Sequence, residues 1–257
     1  MKTVSILKTI TVTAAGFVFL FSQQAAAQTN PVRVIASNGV KGVLDEIKPQ
    51  CEKAIGHPLS IEFGTTATLK PKIEAGEQFD VVILTSEATD ALVKEGKIVA
   101  DTRRDVSRVG IGVGIRAGSA KPDIRTADAL KRTLLNAKSI TYAKEGASKP
   151  TIDKMLERLN IVDAVKSKAL LLDGADQTSA AVAQGKTEIL LTLISEILSA
   201  PGVELAGPLP AEFQNYVNFA AGVSTQAKDR KSGKDLIKFL SGPKVAAAFK
   251  AKGMEQR

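Results

Sequence analysis

Cysteine, histidine and aromatic residues are scarce in this 257-residue chain, and each scarcity removes a class of function. Cys51 is the one cysteine, so no internal disulfide can form, and within a helix-like segment it reads as a buried apolar packer. His57 is the one histidine. A single imidazole builds neither a zinc cluster nor, with Cys51, a nucleophile pair, so His57, which precedes Pro58 at a helix-to-strand junction, reads as structural. No metal and no cofactor is expected. Aromatics make up only 4% of the residues, the basic residues are scattered, and neither a repeat nor a nucleic-acid module is present, which argues against nucleic acid as a partner. Long apolar runs are also missing after residue 21, so no membrane span is expected in the rest of the chain.

What is present begins with an export signal. Lys2 and Lys8 precede an apolar run over residues 10–21, and Ala25-Ala26-Ala27 follows, which reads as a secretory signal peptide over residues 1–27. No lipobox cysteine follows, so a soluble exported protein, periplasmic and monomeric, is expected. The whole chain carries 35 Lys and Arg against 27 Asp and Glu, a net +8; removing Lys2 and Lys8 with the signal leaves +6. That mild excess suits a small anionic ligand.

The organising stretch is VRVIASNGVKG at residues 32–42. Val32, Val34 and Ile35 are strand formers, and Ser37, Asn38 and Gly39 make a polar turn before a helix start. Unpaired backbone N–H groups at the carboxyl end of a strand favour an anion, and the same geometry serves an ordinary helix cap. The pattern repeats. A strand at 59–63 ends in Gly64-Thr65-Thr66-Ala67-Thr68 before a helix at 69–74, and the apolar strand 79–84 ends in Thr85-Ser86. Pro49, inside a helical stretch at 43–55, predicts a bend.

Further strands are expected at 106–116, 139–142, 169–172, 188–193 and 216–224, with helices at 126–137, 150–159, 177–184, 227–240 and 243–251. Asp176 reads as the N-cap of the helix at 177. This alternation predicts an α/β protein with mostly parallel strands. The long glycine-bearing strands at 106–116 and 216–224 bracket the middle of the chain, where it is expected to cross between two lobes.

Three stretches together resemble the periplasmic solute-binding proteins of the molybdate-binding type: VRVIASNGVKGVLDEI at 32–47, FGTTATLKPKIEAGEQFDVVI at 63–83 and LIKFLSGPKVAAAFKAKG at 236–253. The resemblance implies a two-lobed α/β binding protein of type II with a two-strand hinge. Residues 28–110 and 217–257 would form lobe 1, and residues 111–216 lobe 2. It implies capture of an oxyanion or organic carboxylate for an ABC-type permease. Carried over by position, the family's first ligand serine falls at Gly39, flanked by Ser37 and Asn38, and its second at Thr66, beside Thr65. The third contact falls near Ser148 and Lys149, and the fourth near Ala175 or Asp176. The family's tyrosine falls at Leu193. Loss of the serine at 39 and the tyrosine at 193 removes neutral donors suited to a small tetrahedral oxyanion, which disfavours molybdate.

The run RAGSAKPDIRTADALKRTLLNAKSITYAKEGAS at 116–148 resembles the branch that includes aconitate isomerase. This implies an alternative, an enzyme interconverting cis- and trans-aconitate by removing and returning a proton. Lys149, Tyr142, Glu145 and His57 are then the candidate acids and bases.

Overall fold

Alternating strand and helix periods produce two sheets that share one strand. The computed structural model describes residues 30–257; the signal peptide expected at 1–27 lies outside them. Strand β1 (Val32–Ser37) passes through a tight 3₁₀ turn, Asn38–Val40, into α1 (Lys41–Ile55), which continues through Pro49. Next come β2 (Leu59–Gly64), α2 (Thr66–Glu74), β3 (Val81–Thr85) and α3 (Ser86–Lys94). The longest strand, β4 (Arg104–Arg116), is followed by α4 (Ala127–Asn136), β5 (Ile140–Ala143), α5 (Lys149–Arg158) and α6 (Val162–Lys166). Then come β6 (Ala169–Leu172), α7 (Gly174–Ala183), β7 (Ile189–Leu193), the single turn α8 (Ile194–Ile197) and β8 (Val203–Pro208). The chain returns through β9 (Tyr216–Val223) to α9 (Arg230–Leu240), α10 (Ala246–Ala251) and β10 (Met254–Gln256).

The strand order is β2-β1-β3-β9-β4-β7-β5-β6. In the first lobe β1 lies parallel between β2 and β3; in the second, β5 lies parallel between β6 and β7. Helical crossovers between parallel strands bring their carboxyl ends to one edge, where ligands of open α/β sheets bind. Strand β4 joins the two lobes. Its residues up to Gly110 pair antiparallel with β9, and from Ile111 onward it pairs with β7 and β8. The expected crossing at the glycine-bearing strands is therefore made in the middle of β4.

Among the boundaries that move, two lie at the expected ligand turns. Helix α2 starts at Thr66, three residues before the expected 69, because Thr65 caps it by accepting the Thr68 N–H at 3.1 Å. Helix α7 starts at Gly174, so Asp173 holds the N-cap position and Asp176 lies inside the first turn. The N-cap reading of Asp176 is corrected accordingly. Gly174 has φ +81°, and this left-handed entry turns the chain into the helix earlier than the expected 177.

Apolar packing is continuous across the lobes, from Val34 and Ile47 in the first to Leu134 and Val165 in the second. Cys51 is fully buried in this core, as its sequence context predicted. Burial, with a smaller contribution from the neighbouring Glu52 carboxylate, pushes its thiol from 9.0 up to about 12. The folded state therefore keeps the neutral thiol where the unfolded chain ionises. This contribution to stability is complete below pH 9 and is lost as pH rises from 9 towards about 12. Cys51 should resist an aromatic disulfide reagent at mildly alkaline pH and react stoichiometrically once urea unfolds the protein. Rapid labelling without denaturant would contradict its placement in the core.

Candidate functional site

The carboxyl ends of β1, β2, β6 and β7 converge between the lobes. Ser37 closes β1 and is buried, and its Oγ accepts the Gly39 N–H at 3.4 Å, holding the turn. Thr65 Oγ1 is engaged with the Thr68 N–H and hydroxyl, and Thr66 Oγ1 accepts the Thr85 N–H at 3.4 Å. These hydroxyls order the helix starts, while the partly exposed Asn38 side chain remains turned towards the second lobe.

From the second lobe, α7 meets that turn. A Cβ on Gly174 would lie 3.5 Å from Asn38 Nδ2 and 3.8 Å from Thr65 Cγ2, so the first turn of α7 faces the first turn of α2 across the gap. Such opposed helix starts present unpaired N–H donors and partial positive charge to the same space. A second bridge is buried, with Ser195 Oγ donating to the Gly39 carbonyl at 2.7 Å. Gly39 itself is tightly enclosed. A Cβ there would stand 2.4 Å from Phe219 Cζ and 2.8 Å from Leu193 Cδ1. Phenyl and isobutyl groups thus fill the space into which a larger residue 39 would project.

Beside this contact lies an interlobe cavity of 570 Å³. Asn38 and the start of α1 form one wall, Ala175, Asp176 and Ser179 of α7 a second, and Glu196 and Ser199 a third. At its rim Lys41 pairs with Asp45 at 3.0 Å and Lys252 with Glu46 at 3.6 Å. Among the described residues, Asp176 and Glu196 have no such cationic partner. Burial pushes the Glu196 carboxyl from 4.5 up to about 7. Hydrogen bonds from Thr192 and the Leu193 backbone oppose that rise, and the charge of Asp176 reinforces it.

The residues singled out in the sequence therefore separate into two groups. Asn38, Ala175 and Asp176 surround one cavity, and Ser37, Gly39, Thr65 and Thr66 form the turns beside it. Ser148 and Lys149 stand at the start of α5, where Lys149 Nζ bonds Asp153 and lines a separate 280 Å³ hollow with Tyr142 and Leu156. His57 sits by the amino end of β1, Nδ1 3.3 Å from the Asn30 carbonyl and Nε2 3.5 Å from Asp229. A larger hollow of 740 Å³, beside Arg116, Arg132 and Ile189, lies at the amino end of β7, away from the convergent turns. Among the described residues no group of three His, Cys, Asp or Glu side chains could hold a metal ion.

Glu196 did not emerge from the sequence reading. Its signal is faint: one carboxylate in the otherwise neutral run ILLTLISEIL at 189–198. An ionisable group inside such a run must be either solvated at an edge or shifted in its titration.

A family model described as bacterial extracellular solute-binding protein matches residues 32–255. The aconitate isomerase of a Pseudomonas species is 28% identical over 237 residues, covering 90% of each chain. The molybdate-binding protein ModA of Azotobacter vinelandii is 29% identical over 238 residues, covering 89% of this chain and 91% of that protein. The solved structure of the Azotobacter vinelandii periplasmic molybdate-binding protein superimposes with a TM-score of 0.74, over 87% of this chain and 98% of that one, at 18% identity. The two-lobed α/β architecture expected from the sequence is the one observed, but the expectation of mostly parallel strands is corrected: among the described residues five of the nine strand pairings, all through the long strands β4 and β9, are antiparallel.

Proposed function

The chain belongs to the bacterial extracellular solute-binding proteins, and from that premise we propose that it is a periplasmic receptor, a monomer that captures a small anion between its lobes for an ABC-type permease. The observation that carries this reading is the meeting of the Asn38 turn and the α2 start with Gly174 at the start of α7. Donors from both lobes then reach one ligand, and contacts made only in the closed form shift the hinge equilibrium towards closure. The hinge strands are β4 and β9, which divide the chain into 28–110 with 217–257 and 111–216. Molybdate-binding relatives support an anionic cargo. Gly39 without a hydroxyl and Leu193 without a phenol lack the neutral donors that suit a compact tetrahedral oxyanion, which favours an organic carboxylate. Among the described residues no helix is long and apolar enough to cross a membrane.

A second reading is an isomerase acting on aconitate. Similarity to the Pseudomonas enzyme supports it, and so does Glu196, whose shift to about 7 suits a group that must both take and return a proton.

Titration calorimetry of residues 28–257 with sulfate, molybdate, citrate, cis-aconitate and trans-aconitate tests both readings. The receptor reading expects saturable binding of at least one anion, compaction in small-angle scattering, and at least a tenfold loss of affinity in Asn38→Ala. Lys149→Ala, whose ammonium faces Asp153, should bind like the parent. Absence of binding by every anion would sink the receptor reading, and a change in ultraviolet absorbance on adding either aconitate would replace it with the isomerase.

A further inference from the structure

An anion receptor that turns two carboxylates into its interlobe cavity poses an electrostatic problem. Among the described residues, the charged groups that line the cavity with Glu196 are Lys41, Asp45 and Glu46 on α1, Asp176 on α7 and Lys252 after α10. The lysines of this set are already matched by Asp45 and Glu46. Asp176 and an ionised Glu196 would therefore leave the cavity negative and repel the cargo.

We propose that Glu196 is a ligand-contacting hydrogen-bond donor of this cavity: as the carboxylic acid it donates to a carboxylate of the captured anion, so that each anion captured holds one proton in place. The inference rests on the receptor reading above and specifies its ligand as an organic carboxylate. Geometry supports it on two counts. Glu196 occupies the third position of α8, and the neighbouring Thr192 hydroxyl and Leu193 N–H hold its carboxyl group. The same cavity is lined by Asn38 of the first-lobe turn and by Ala175 and Asp176 in the first turn of α7, so Glu196 shares its space with residues of both lobes. A neutral acid there supplies a donor where a carboxylate would supply only repulsion. With burial holding the acid form up to about 7, this donor is complete only below that pH and disappears as pH rises above it.

The test is calorimetric titration with trans-aconitate from about pH 6 to about pH 9, in two buffers of different ionisation heat. Affinity of the parent protein should fall about tenfold per pH unit once Glu196 ionises, with about one proton taken up per ligand bound on the alkaline side. Glu196→Gln keeps a donor without a titration, so its affinity should be independent of pH and its proton uptake zero. His57→Gln, remote from the cavity, should retain the parent slope. A flat parent profile with no proton uptake would overturn the inference while leaving the receptor reading intact, as would an unchanged slope in Glu196→Gln. Lack of binding at every pH, in both parent and Glu196→Gln and with every anion of the panel above, would remove the receptor reading and the inference together. The proton count on the parent protein decides the matter even if Glu196→Gln fails to fold.

Discussion

Gly39→Ala is expected to destabilise the protein by about 1–3 kcal/mol, an unusually large effect for adding one methyl group at a turn. The new carbon would stand 2.4 Å from Phe219 Cζ and 2.8 Å from Leu193 Cδ1, both far inside contact distance. Leu193 can turn a terminal methyl aside. Phe219 cannot yield so easily, because it is fully buried in β9 between β3 and β4. The strain falls at the junction of the lobes, where the Gly39 carbonyl accepts the Ser195 hydroxyl. Displacing the turn therefore weakens both the packing and the interlobe bridge. Urea unfolding should register the loss as a lower midpoint with an unchanged slope, and calorimetry should register weaker anion capture. A midpoint equal to that of the parent would mean that Phe219 and Leu193 do not enclose residue 39.

The same turn marks how far the sequence alone could be read. The strand-turn-helix pattern at Val32, Ser37 and Lys41 is local, so hydrophobic period and turn chemistry were enough to place it. A glycine, Gly39, at the position where the resemblance implies a serine was equally visible. What fills the vacated space was not, because Phe219 approaches from a strand 180 residues later and its contact depends on sheet order. Helix starts shifted for a related reason: Thr65 caps α2 through a bond to its own helix, and Gly174 adopts a positive φ that composition does not reveal. Strand β8 escaped notice because VELAGP is nowhere fully buried, with pairing to β4 as its main definition. Glu196 escaped because its chemistry arises from neighbours on α7 and at the Asn38 turn, not from any motif of its own. Lys149 reads as an anion contact by position, and its i,i+4 spacing to Asp153 made the ion pair it forms equally legible.

Phe219→Ala should be the most damaging single change, costing about 3–5 kcal/mol, because it removes a fully buried ring and leaves a cavity beneath the interlobe contact. Its diagnostic value lies in the double-mutant cycle with Gly39→Ala. In the parent, the methyl at 39 collides with the ring; without the ring, that methyl enters vacant space and recovers some of the lost packing. The cost of Gly39→Ala should therefore vanish or reverse in the Phe219→Ala background, giving a coupling of about 1–3 kcal/mol. Simple additivity would show that the two groups do not meet.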